Sequence, residues 1–224
     1  MIPDSVRDSK NPYHPLMPKL SQRDFFGRKD EQNILLNSLK EFEDTSKINN
    51  ILICGDKSIG KSSLLNRFLD ILQDYNFIVY DIELQRDTNT NIDEFDFFKD
   101  IIDDIFLKNS PTEGNFLDPT QSEIWFSLTS GDYQHKSNFL QRKLSFATSY
   151  ANKKKGLPEK LSYKSLERDF YLIIEELHSK DKDIAGLALL IDEFQVLSNN
   201  PFIIDSLRQL SEKIDSFMVI GAGL

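Results

Sequence analysis

The sequence predicts an α/β protein built on a doubly wound, all-parallel sheet, and three observations carry that prediction. Four short apolar runs alternate along the chain with longer stretches whose apolar residues recur at helical spacing. The runs ILIC, FIVYDI, LALLI and FMVIGAG largely lack the every-other-residue polarity of a strand with one wet face, as befits strands covered on both sides. Strand and helix alternate throughout, which is the order of crossover units whose helices cover both faces of one sheet.

Residues 1–24 hold four prolines (Pro3, Pro12, Pro15 and Pro18) and little apolar periodicity, so they read as an extended arm ahead of a core at 25–224. Glu31 to Phe42 sets Ile34, Leu35, Leu39 and Phe42 on one helical face. Asn49-Asn50 ends that stretch before the run at 51–54, which reads as a buried strand. Lys61 to Leu72 is helical by the spacing of Leu64, Leu65, Phe68, Leu69 and Leu72, and 77–82 is a second, β-branched and aromatic strand. A helix from about Glu94 to Leu107 presents Phe98, Ile101, Ile102, Ile105 and Phe106, and another from Leu166 to Leu177 presents Phe170, Ile173 and Ile174. The third strand falls at 187–191, a helix with Ile203, Leu207, Leu210 and Ile214 at 201–214, and the fourth strand at 217–223. Between the two middle helices lies an irregular insert, roughly 110–163, longer than an ordinary connection.

With 224 residues the chain suffices for one sizeable core. Its net charge of -9 argues against a surface that coats nucleic acid or an anionic membrane as a whole. The charge is uneven: from Tyr133 to Arg168 nine basic residues face two acidic ones, +7, which leaves -16 for the remainder. That basic insert, with Tyr133, Phe139, Phe146 and Tyr150 interleaved, keeps contact with nucleic acid open, although a lysine run such as Lys153–Lys155 is usually a solvated loop. Trp125 and Phe126 in the same insert are read as local core, with a partner anchor as the alternative. The single cysteine, Cys54, cannot form an internal disulfide and is expected to pack as a small apolar residue. His14, His135 and His178 show no metal-like spacing. No apolar stretch approaches the roughly 20 residues of a membrane span, and a soluble, cytoplasmic protein is expected.

The strongest chemical signal is GDKSIGKS, Gly55 to Ser62, between a predicted strand and a predicted helix. This is the phosphate-binding loop pattern: glycines let the backbone curl so that successive N–H groups point at phosphates, and the helix start adds a positive dipole end. Gly55, Asp56, Lys57, Ser58, Ile59, Gly60, Lys61, Ser62 and Ser63 are therefore the candidate nucleotide-binding residues. Lys61 brings a full charge to the phosphates and the Ser62 hydroxyl is the candidate Mg²⁺ ligand. A second element, LALLIDEF at 187–194, ends a strand in two carboxylates, at the edge where parallel sheets bind ligands. Asp192 is assigned to Mg²⁺ and Glu193 to the general base that polarises water, and Lys61, bridging β- and γ-phosphate oxygens, is the other candidate catalytic residue. The alternative for an isolated Asp-Glu pair is a solvated acidic turn or a helix N-cap.

FFGRKDE, GDKSIGKS, LLIDEFQ and VIGAGL, in that order over about 25–224, resemble bacterial AAA+-type P-loop ATPases related to the origin-recognition and STAND branch. The resemblance implies ATP and Mg²⁺ as ligands, and puts Gly27 and Arg28 on the adenine side of the pocket, with a surface helix cap as the alternative for Arg28. It also implies that the two motif strands lie side by side, a reading taken from the family. It further implies ATP-driven conformational change or assembly, with a nucleotide-gated switch or a DNA-associated loader as rivals. Where many relatives carry a polar sensor after the fourth strand this chain has Gly221, Ala222 and Gly223, so hydrolysis is expected to be slow or differently triggered. The chain stops at Leu224, where such ATPases continue into a helical lid and an arginine finger, and self-association or a partner is expected through that region. Guanine reading is not expected, because no Asn-Lys-x-Asp element follows the loop.

Overall fold

The computed structural model describes residues 27–84, 92–107 and 145–224. The expected arm at 1–24, Phe25 and Phe26, the part of the insert at 108–144 with Trp125, Phe126, Tyr133 and Phe139, and His14 and His135 lie outside the described residues. Within them the chain runs α1 (Lys29–Thr45), β1 (Ile51–Cys54), α2 (Lys61–Asp74), β2 (Phe77–Glu83), α3 (Glu94–Leu107), α4 (Ser145–Lys154) and α5 (Tyr163–Lys180). It continues through β3 (Gly186–Asp192), a 3-10 turn (Phe194–Asn199), α6 (Pro201–Lys213) and β4 (Phe217–Gly223).

The four strands pair in parallel in the order β1-β4-β3-β2. The expectation that the two motif strands are neighbours is thus corrected, because β4 lies between β1 and β3. Burial gives the reason. FMVIGAG of β4 and GLALLI of β3 are buried along their whole length, and such runs belong in the middle of the sheet. By contrast β1 alternates half-buried and exposed residues, and β2 carries Asp81 and Glu83 outward, so these strands are the edges among the described residues. The expectation of a fully buried β1 fails on the same ground, and with it the reading of Cys54: Leu52 is 59% exposed and Cys54 is also exposed. Asn50 ties this edge strand down, accepting the Val219 N–H at 2.8 Å and donating to Ser211 Oγ at 2.6 Å.

Alternate residues of the central strands feed two cores, which is what double winding means physically. Ala188, Leu190, Met218, Ile220 and Ala222 face α1 and α2 with Leu35, Leu39, Leu64, Leu65 and Phe68. Leu187, Leu189, Ile191, Phe217 and Val219 face the opposite side, where Phe98, Phe146 and Phe170 come from α3, α4 and α5. Phe170 bridges Phe98 and Phe217 at ring separations of 6.2 and 5.5 Å, so two helices and a strand share one aromatic contact line. Ile34, expected on the buried face of α1, is instead 58% exposed beside the β1 edge.

The described end of the insert is folded. Buried Asp169 on α5 accepts the N–H groups of Ser145 at 3.1 Å and Phe146 at 2.6 Å, so it caps α4 from another helix. Lys153 bonds Asp93, and its ammonium lies 4.6 Å from the Phe95 ring centre, while Lys154 pairs with Asp96 at 3.6 Å. Burial pushes the Asp93 carboxyl up, but Lys153 and the N–H groups of Asp96 and Phe95 outweigh it and hold it below the usual range. Two lysines of the Lys153–Lys155 run thus belong to a helix pinned to the start of α3, and Phe146 and Tyr150 are buried.

Candidate functional site

Parallel strands deliver their C-terminal ends to one edge, and every described residue singled out from the motifs sits there or just beyond it. The loop at 55–60 leaves β1 and turns into α2, its course set by positive φ at Ser58 and Gly60. At φ +90° Gly60 occupies a region where a side chain is strained, and its carbonyl already accepts the Leu64 N–H at 3.0 Å, starting the helix. Lys61 folds back over the loop and donates to the carbonyls of Gly55 and Asp56, each at 2.8 Å.

Asp192 ends β3 and Glu193 follows in the left-handed region at φ 57°. For a non-glycine residue that conformation is costly, and it redirects the chain into the 3-10 turn while turning Glu193 out of the strand. The Ser62 hydroxyl donates to Asp192 Oδ2, whose Oδ1 accepts the Glu193 N–H at 2.8 Å. Two predicted ligands 130 residues apart in sequence therefore meet across the end of the intervening β4, where Gly221, Ala222 and Gly223 carry nothing larger than a methyl group. A hydroxyl and one carboxylate are hard oxygen donors that suit Mg²⁺, which keeps waters and takes few protein ligands. Among the described residues no group of three or more His, Cys, Asp or Glu is placed to hold a metal ion.

On the other side of the loop a cleft of about 190 Å³ is lined by Arg28, Glu31, Ile34, Leu52, Ile59 and Lys61, among others. Arg28 donates through Nη2 to the Ile59 carbonyl at 2.6 Å and through Nη1 to Glu31 at 2.7 Å, so it joins the start of α1 to the crest of the loop. That hydrogen bond from Arg28 is the main reason the Glu31 carboxyl lies below its usual range. Gln32 reinforces the junction, donating to the Gly27 carbonyl at 2.9 Å and accepting Arg67 Nε at 3.1 Å. Of the sequence candidates, Arg28 lines this cleft with Ile59, Gly60 and Lys61, and Gly27 supports it through its carbonyl. Ser63, on the first turn of α2, is half-buried behind the loop.

Sequence reasoning missed three participants. Glu31 and Gln32 sit within the FFGRKDE neighbourhood, where only Gly27 and Arg28 drew attention. Gln195 closes the LLIDEFQ motif, and its amide donates to Glu193 Oε2 at 2.5 Å. Its place beside the acidic pair was the available signal. Among the described residues no helix is long and apolar enough to cross a membrane.

No curated protein matches the chain significantly. A family model described as an ATPase domain predominantly from Archaea matches residues 25–220, a span that takes in the Arg28 junction, the loop at 55–60, the acidic pair and the first four residues of β4. With a four-stranded parallel sheet, a strand-to-helix loop that carries GDKSIGKS and that match over most of its length, the chain belongs to this family of P-loop ATPase domains.

Proposed function

We propose that the protein is a Mg²⁺-dependent ATPase of the AAA+ type, related to the origin-recognition and STAND branch, whose nucleotide cycle drives a conformational or assembly change. One observation carries the proposal: Ser62 and Asp192 are in hydrogen-bond contact over the end of β4, with Glu193 immediately beyond. The loop N–H groups of 55–63 and the dipole of α2 would hold the phosphates, and Lys61 would exchange its two carbonyl partners for phosphate oxygens. Mg²⁺, when bound, supplies positive charge to the phosphate oxygens, and Ser62 and Asp192 are the residues that would hold it. Glu193 would accept a proton from the attacking water. The cleft beside Arg28, with Ile34, Leu52 and Ile59 as apolar walls, suits a purine base.

The family described as predominantly archaeal supports the ATPase reading, whereas the motif resemblance points to bacterial relatives. The switch reading draws support from β4, whose end lacks a polar side chain, since turnover would then be incidental to holding a state. The DNA-associated reading is weakened by Lys153 and Lys154, which are paired with Asp93 and Asp96, and by the burial of Phe146 and Tyr150. Self-association remains part of the proposal, because an arginine supplied in trans adds several orders of magnitude in rate in related chemistry.

The division of labour is tested by two variants. Glu193→Gln should leave ATP affinity within about twofold while lowering single-turnover hydrolysis by about 10² to 10⁴. Asp192→Asn should weaken ATP binding only when Mg²⁺ is present. Equal, modest losses of both quantities in both variants would overturn these assignments.

A further inference from the structure

Resting on the reading of Glu193 as the base, we infer that Gln195 is a positioning residue that supplies from the 3-10 turn the polar group missing from the end of β4. Its side chain makes two contacts in opposite directions. Nε2 donates to Glu193 Oε2 at 2.5 Å, and Oε1 accepts the backbone N–H of Leu224 at 3.2 Å. The amide therefore ties the proposed base to the backbone at the end of the central strand. That same strand end holds the phosphate loop, since the Gly55 N–H donates to the Gly223 carbonyl at 3.3 Å. A continuous path of hydrogen bonds and one strand end thus connects the first residue of the phosphate loop to the Glu193 carboxylate.

The departure at β4 becomes intelligible on this geometry. A Cβ on residue 223 would stand 2.5 Å from Gln195 Oε1 and 3.3 Å from the Gln195 backbone nitrogen. A side chain at that position would push the amide out of its present place, so glycine there leaves room for glutamine at 195. Gln195 has both a donor and an acceptor, and each is used: the donor faces a carboxylate that only accepts, the acceptor faces a backbone N–H. One oxygen of Glu193 is held by the amide, which limits rotation of a side chain whose backbone is already fixed in the left-handed region. A base turned away from its water loses rate without loss of substrate binding, and orientation effects of this kind are large in effective concentration.

The test is single-turnover hydrolysis of Mg-ATP together with calorimetric ATP affinity, in wild type, Gln195→Ala, Gln195→Glu and Glu193→Gln. Glutamate keeps the length of Gln195 and its acceptor toward Leu224, but puts an acceptor against the Glu193 carboxylate where the donor was. We expect Gln195→Ala to lose about 10-fold in rate with affinity within twofold, and Gln195→Glu to lose at least as much although its shape is preserved. A packing role alone would be rescued by glutamate, so wild-type hydrolysis in Gln195→Glu overturns the inference. Parallel falls in rate and affinity in both Gln195 variants overturn it as well. If Glu193→Gln abolishes hydrolysis while both Gln195 variants keep it, the base assignment stands and the positioning role falls. If Glu193→Gln hydrolyses ATP as wild type does, or wild type does not hydrolyse it at all, both fall.

Discussion

Replacing Gly60 with alanine isolates the backbone's share of nucleotide binding. Gly60 has φ +90°, and a Cβ built there meets no atom within 4 Å, so the substitution introduces no collision. What remains is the cost of holding an L-residue in the left-handed region, about 1 to 2 kcal/mol. If the variant loop keeps its conformation, stability falls by that amount. If it relaxes, the conformation must be regained on binding, and ATP affinity falls by about 5- to 30-fold. The two losses, read by urea unfolding and calorimetric titration with Mg-ATP, should therefore sum to about 1 to 2 kcal/mol. Gly156 is the internal control: it has φ +77°, is equally unobstructed, and lies just past α4 away from the loop. Gly156→Ala should lose the same stability and no affinity. Unchanged stability and affinity in Gly60→Ala, or equal weakening of ATP binding by both variants, would refute the assignment of the loop's curvature to phosphate binding.

Lys61→Ala should lower ATP affinity by about 10- to 100-fold, because charge-assisted hydrogen bonds contribute roughly 1.5 to 3 kcal/mol, and unchanged calorimetric affinity would remove the site. Burial pushes the Asp169 carboxyl above its ordinary value of 3.8, against the N–H groups of Phe146 and Ser145, the Ser145 hydroxyl and the Arg168 charge. A raised folded value means the native state holds the proton more tightly, so this contribution is full below the unfolded value and is lost as pH rises through the folded one. Relative to non-titrating Asp169→Asn, wild type should therefore lose stability as pH climbs from about 3.8 and then level off; urea midpoints that diverge in the opposite sense would refute this. ATP should outcompete GTP, and tighter GTP binding in a competition titration would count against the proposed seating of adenine beside Arg28.

How much could be read in advance depended on whether a feature was local. The periodicity of α2, α3 and α6 and the apolar runs of β3 and β4 emerged because burial on both faces of a sheet leaves a direct mark on residue type. The strand-to-helix loop at 55–60 was legible because its glycine and lysine spacing is carried by one contiguous turn. The position of Asp192 and Glu193 was legible because an apolar run that stops at two carboxylates marks where a buried strand leaves the sheet.

The sequence by itself therefore determined the alternating α/β class, the loop at Gly55–Ser62 and the acidic pair, all of them properties of short segments. Only the tertiary structure decided the strand order, because an apolar run does not say which neighbour it takes; β4 entered between β1 and β3 and left Cys54 and Leu52 on an edge. It alone decided that Lys153 and Lys154 pair with Asp93 and Asp96, since charge composition carries no distances. And it alone joined Ser62 to Asp192, Arg28 to Ile59, and Gln195 to both Glu193 and Leu224. Contacts closed by the fold across tens of residues or more leave no periodicity in the chain, and a short-range one such as Gln195 to Glu193 depends on a left-handed turn that residue types alone do not announce.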